Sequence, residues 1–156
     1  MLPHFNYSFH ADNRMIGWQL NSDTRLFRVE GALSIGQIAS LRHGNVSVEG
    51  EPDRAWTGTR IFDERGLEKL LESDRASIES LATSWYEDCP SYLLIPDQPL
   101  IYGLARMYGA YQGHLKHPLV ICRTVEEIED RLDLDLGWYK AAYPHPECQD
   151  QCNTCS

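Results

Sequence analysis

Short apolar runs alternate with amphipathic stretches along most of this chain, a pattern that predicts strands joined by helices. The clearest instance runs from Tyr92 to Tyr111. Tyr92-Leu93-Leu94-Ile95 is apolar or aromatic, too short for a core-crossing helix, and bounded by prolines, so it predicts a buried strand. Pro96 cannot donate to a sheet ladder and ends it. Asp97 or Gln98 then caps a helix with Pro99 in its first turn. Leu100, Leu104, Met107 and Tyr111 share one face of that helix, with Gly103 and Ala110 beside it.

The same alternation extends in both directions. Residues 1–13 carry no regular pattern. Met15, Ile16, Trp18 and Leu20, then Leu26, Phe27 and Val29, flank the turn cluster Asn21-Ser22-Asp23-Thr24 and predict a hairpin that Gly31 ends. Ser34 and Gln37 form a capping box for a helix carrying Ile35, Ile38 and Leu41, closed by His43-Gly44. Residues 45–58 are loop-like, with Val46 and Val48 as a short edge-strand candidate. Thr59 to Asp63 predicts a strand that Glu64-Arg65-Gly66 breaks, and Leu67, Leu70 and Leu71 fit one turn of helix. Ser73 or Asp74 caps a longer helix with Ile78, Leu81, Ala82 and Trp85, ending near Asp88-Cys89-Pro90. Leu119 to Cys122 is another apolar strand, followed by a second capping box, Thr124 with Glu127, and by Ile128 and Leu132.

The order ββα, βα, βα, βα implies an α/β fold. We expect a single small domain, residues 1–136 with 1–13 as an extension. Its central mixed, mostly parallel sheet has 4–5 strands and an N-terminal hairpin, with helices packed on it. Residues 137–156 read as a Cys- and His-containing tail. The formal net charge is −9, from 14 basic and 23 acidic residues, which disfavours nucleic acid or an anionic membrane as partner. No apolar stretch approaches the ~20 residues of a membrane span. No signal-like pattern opens the chain, so the expected location is the cytoplasm. There the five cysteines serve as thiols or metal ligands rather than disulfides.

Phe27-Arg28-Val29-Glu30-Gly31, a helix, Ile61-Phe62-Asp63, Leu93-Leu94-Ile95, Val120-Ile121 and a last acidic helix together resemble the STAS-like domains. These include the anti-sigma-factor antagonists and relatives grouped with Sec14-type lipid-binding folds. Asp63-Glu64-Arg65-Gly66 and Tyr102-Gly103-Leu104-Ala105-Arg106-Met107-Tyr108 look like a bacterial branch of that group, and the resemblance covers about residues 14–136. It implies a non-enzymatic regulatory or protein-interaction module. Antagonists of the family carry a phosphorylatable serine after the strand that here ends at Asp63. Glu64, Arg65 and Gly66 stand there instead, so that switch is not carried over.

Asp63 and Arg65, at the expected carboxyl end of a strand, are candidates for ligand or partner contact, against a plain turn with Gly66 left-handed. Asp97 lies at the same edge, where it is either a helix cap or an acid–base partner of Asp63. Tyr102, Arg106 and Tyr108 leave the apolar helix face, and Arg beside Tyr suits a protein interface or self-association as well as a solvated surface. His114 and His117 read as loop residues, and Cys89 and Cys122 as small buried hydrophobes. A cleft lined by Trp85, Leu104, Met107 and Tyr108 would instead make the protein a carrier or sensor of a small apolar or lipid-like ligand. His145, Cys148, Cys152 and Cys155 are a ligand set for zinc, and the three cysteines also match an iron–sulfur spacing. A loose tail of idle thiols is the alternative. No phosphate-binding glycine loop or nucleophile elbow is present in the sequence.

Overall fold

The computed structural model describes residues 5–10, 13–34, 47–48, 51–52, 58–70, 90–96, 99, 102–103, 106, 110, 116–117 and 119–144. Six strands form one mixed sheet: β1 (Phe5–His10), β2 (Asn13–Asn21), β3 (Thr24–Leu33), β6 (Thr59–Leu70), β7 (Ser91–Leu94) and β8 (Val120–Cys122), in that spatial order. β1, β2 and β3 run antiparallel, and the pairings β3–β6, β6–β7 and β7–β8 are parallel. The fold is thus α/β with an antiparallel edge, as the strand–helix alternation requires. β4 (Ser47–Val48) and β5 (Glu51–Pro52) pair as a separate ribbon, so Val48 does not extend the main sheet. Pro99, Tyr102, Gly103, Arg106 and Ala110 are helical after β7. The expected helices over 35–44 and 71–89 lie outside the described residues.

The hairpin follows its hydrophobic pattern. Trp18 faces Leu26 across the β2–β3 pair, and Ser22-Asp23 make the turn, where Asn21 Oδ1 accepts from the Asp23 N–H at 2.8 Å. Two helices close the chain, α1 (Val125–Leu132) and α2 (Gly137–Ala142). The capping box is real: Thr124 Oγ1 accepts from the Glu127 N–H at 3.2 Å, while the Glu127 carboxylate reaches back to the Arg123 N–H at 3.3 Å. Val125 and Ile128 pack on one sheet face, in a core with Ile16, Trp18, Leu26, Ile61, Leu94 and Cys122. The opposite face, with Met15, Phe27, Val29, Phe62 and Leu93, is equally buried, and Phe27 stacks on its neighbour Phe62 at 5.3 Å.

Three expectations are corrected. The N-terminal extension is not irregular, because Phe5–His10 adds β1 to the sheet edge. Residues 137–143 are not tail: Leu136 and Tyr139 belong to the buried core, and Trp138 and Tyr143 pack against it. The strand starting at Thr59 does not break at Glu64-Arg65-Gly66, and Leu67 and Leu70 are strand rather than helix. Here the β3–β6 register slips by one residue, Arg28 facing Asp63 but Glu30 facing Gly66. A bulge absorbs the extra residue. Gly66 is there for space, not for a left-handed turn. Among the described glycines only Gly31 has positive φ, 92°, and it lies inside β3 rather than ending it.

A Cβ on Gly66 would lie 2.9 Å from the Val29 carbonyl oxygen, a backbone atom that cannot swing aside. Removing glycine's chain entropy favours Gly66→Ala by at most about 1 kcal/mol. Overpacking against a ladder costs about 1–3 kcal/mol. The substitution is therefore expected to lower the urea midpoint at unchanged slope.

Candidate functional site

Across the middle of the sheet, on the face that α1 and α2 cover, Ile16, Arg28, Asp63, Leu94 and Cys122 are successive cross-strand neighbours. A carboxylate and a guanidinium are thus set into an apolar row. Asp63 is wholly buried, and its oxygens are fully engaged. Arg65 donates to Oδ1 from its backbone N–H and from Nε, both at 3.0 Å, and to Oδ2 from Nη2 at 2.9 Å. Arg28 Nη1 donates to Oδ2 at 2.9 Å, and the Tyr139 hydroxyl donates to the same oxygen. Five donors meet a group with about four acceptor positions.

The set extends outward. Arg28 Nε donates to Glu30 at 2.8 Å, and Arg14 Nε donates to the other Glu30 oxygen at 3.0 Å. Arg65 Nη2 also donates to the Tyr143 carbonyl at 3.1 Å, and the Arg28 guanidinium lies 4.2 Å over the Tyr143 ring. Arg28 and Arg65 balance Asp63 and Glu30 in charge. Burial pushes the Asp63 carboxyl up, but the bonds and charge of Arg65, the charge of Arg28 and the Tyr139 hydroxyl outweigh it, and it stays below the usual carboxylate range. Burial, reinforced by the Asp63 charge, moves the Tyr139 hydroxyl well above the normal phenol range. Each group is held in one protonation state near neutrality. The arrangement clamps α2 to the sheet.

The sequence pattern places Asp63 and Arg65 at the carboxyl end of a strand. Both are instead buried within β6, and so is Glu64. The acid–base pairing of Asp63 with Asp97 has no support from this site, since Asp63 is saturated and Asp97 lies outside the described residues. Arg28, Glu30 and Tyr139 are its unforeseen members. Arg28 left a signal: it follows Leu26-Phe27, apolar toward both faces, so a charge there needs an internal partner.

A second group sits at the carboxyl ends of β7 and β8. Tyr102 is half-buried, with the Arg123 guanidinium 4.4 Å from its ring centroid and that of Arg106 at 5.8 Å. Arg106 and Arg123 are exposed. A hydrogen bond and the charge of Arg123, with a smaller contribution from Arg106, lower the Tyr102 hydroxyl from its ordinary value. The structure thus brings Tyr102 and Arg106 together and adds Arg123, the residue just after β8. Tyr108 lies outside the described residues, as do Trp85, Leu104 and Met107 of the apolar cleft and His145, Cys148, Cys152 and Cys155 of the metal set. Among the described residues no group of three His, Cys, Asp or Glu side chains is placed to hold a metal, and no helix is long and apolar enough to cross a membrane. Cys122 is a buried thiol, raised by burial. Comparison with protein-family models, with curated proteins and with solved structures finds no match.

Tyr139→Phe removes one donor from a buried carboxylate and is expected to cost about 2 kcal/mol. The pH dependence is set by direction. The folded Tyr139 pKa is raised, so its share of stability is full below the unfolded value of about 10 and is lost as pH rises further. The stability gap between parent and Tyr139→Phe should narrow above that pH in urea titrations. The folded Asp63 pKa is depressed, so its share is full above about 4 and is lost as pH falls below it.

Proposed function

We propose that this chain is a non-enzymatic regulatory or protein-interaction module of STAS-like type, acting through the helix face that carries Tyr102 and Arg106. The observation that carries this reading is the placement of a half-buried aromatic ring against two exposed guanidiniums at the carboxyl ends of two parallel strands. That edge is where open α/β sheets meet their ligands. Tyr and Arg are the side chains most enriched where binding energy concentrates. Arg123 fixes the ring before any partner arrives, which reduces the ordering cost of docking. In a chain of net charge −9, this sets two guanidiniums beside one ring. They are complementary to an acidic protein segment, on a foreign partner or on a second copy. The buried Asp63 set supports binding over catalysis, because its titratable groups are held away from neutral pKa values.

Tyr102→Ala with Arg106→Ala leaves the buried rows untouched and should change folding stability by no more than about 0.5 kcal/mol for the exposed Arg106 and modestly more for Tyr102. Association should weaken by about 2 kcal/mol, or roughly thirtyfold. Sedimentation velocity reads self-association. Calorimetry reads a foreign partner recovered on the parent protein and not on the double variant. In both cases the parent's affinity should fall as salt is raised.

A further inference from the structure

The apolar stripe of the C-terminal helices runs on across the break between them. Val125, Ile128, Leu132, Leu136, Tyr139 and Tyr143 follow at steps of three or four, the stripe of one uninterrupted amphipathic helix. The chain nevertheless turns between α1 and α2 at Asp133, with φ 52° and ψ 53°. Glycine is the usual residue for that left-handed position. Among the described residues Asp133 is the only non-glycine with positive φ.

The Asp133 and Leu134 N–H groups cap α1 on the Glu129 carbonyl, and contacts made by α2 add to the hold on the broken form. Tyr139 donates to Asp63, Arg65 donates to the Tyr143 carbonyl at 3.1 Å, and Lys140 Nζ donates to Glu129 at 2.6 Å. Glu129 also accepts the Leu136 N–H at 2.9 Å. Without them α2 is too short to persist as a helix. Gly137 opposes the straight form, since glycine is a poor interior helix residue. The two arrangements therefore differ at a few hinge residues only.

We propose that α1 and α2 interconvert with one straight helix, and that the straight form seats its Tyr139 on the Arg28–Asp63–Arg65 clamp of a second copy. The product is an exchanged dimer in which each chain completes the other's clamp. The occupant is this chain's own segment because the clamp fits it group by group. Asp63 takes the Tyr139 hydroxyl, Arg65 takes the Tyr143 carbonyl, and Arg28 covers the Tyr143 ring. Exchange recovers each of these contacts between chains, so its cost is confined to the hinge and its extent follows concentration. The inference is independent of the Tyr102 face.

Asp133 is exposed, so substitutions there spare the core. Sedimentation velocity of the full chain, kept reduced, is compared for parent, Asp133→Ala and Asp133→Gly over a wide concentration range. Alanine resists the left-handed region and should strengthen dimerisation about fivefold or more. Glycine accepts that region and disfavours the straight helix, and should weaken it by a similar factor. Carbodiimide coupling of Lys140 to Glu129, in a mixture of isotope-labelled and unlabelled chains, should give mixed-isotope links in the dimer peak. Three results each overturn the proposal: a chain that stays monomeric in all three forms, a dimer constant indifferent to residue 133, or dimer-peak links confined to one isotope.

Discussion

The Asp63 carboxylate constrains everything around it. An ion at a wholly buried position is tolerated only if donors reach it from the surrounding structure. Here they come from three places: Arg28 on β3, Arg65 on β6 and Tyr139 on α2. Slipping β3 against β6 by one residue would send Arg28 to the opposite face and leave the charge short of a partner. One carboxylate thereby fixes the register of the central parallel pair and the seat of the last helix. An apolar replacement of the whole set could be as stable. Loss of a single member could not, because the remainder would stay buried and charged.

The bulge at Gly66 follows from the same demand. Asp63 and Arg65 are two apart and share a face, so the Arg65 side chain folds back along its own strand to reach the carboxylate. Beyond that point β6 pairs with β3 in a shifted register, with Glu30 beside Gly66 and able to bind both Arg28 and Arg14. β7 and β8 end level with Asp63, whereas β6 continues to Leu70. The carboxyl ends of the two short strands are thereby left at the level of the sheet's middle, the edge on which Arg123 and Tyr102 meet.

Local chemistry made part of this legible in the sequence. The hairpin around Ser22-Asp23, the strands at 91–94 and 120–122, and the Thr124–Glu127 box each depend on neighbours a few residues away, and each forms as its pattern requires. The Asp63-Glu64-Arg65-Gly66 string misleads because turn-forming residues also serve bulges. What separates the two is the approach of the Val29 carbonyl from another strand, a contact invisible in sequence. Tyr139 lies 76 positions from the carboxylate it binds, and no local signal joins them. The aromatic run at 138–143 reads as tail in the sequence because Pro144-His145-Pro146 and three cysteines follow it, whereas Trp18, on β2, gathers Trp138, Tyr139 and Tyr143 around itself. Of the candidate site, only the Tyr102–Arg106 pairing was local enough to be read directly.

These placements separate the two jobs that charged residues do in this protein. Inside, Asp63, Arg28 and Arg65 are paired so completely that little chemistry is left to them, and their role is conformational. Outside, Arg106 and Arg123 stand exposed beside an aromatic ring. The clamp is filled by its own helix, and the proposed exchange would fill it with an identical one, because nothing in its geometry distinguishes the chain of origin. The surface pair has no such restriction and is selective only through charge and shape. On the two proposals above, the seating of the last helix would set how many copies of the Tyr102 edge act together.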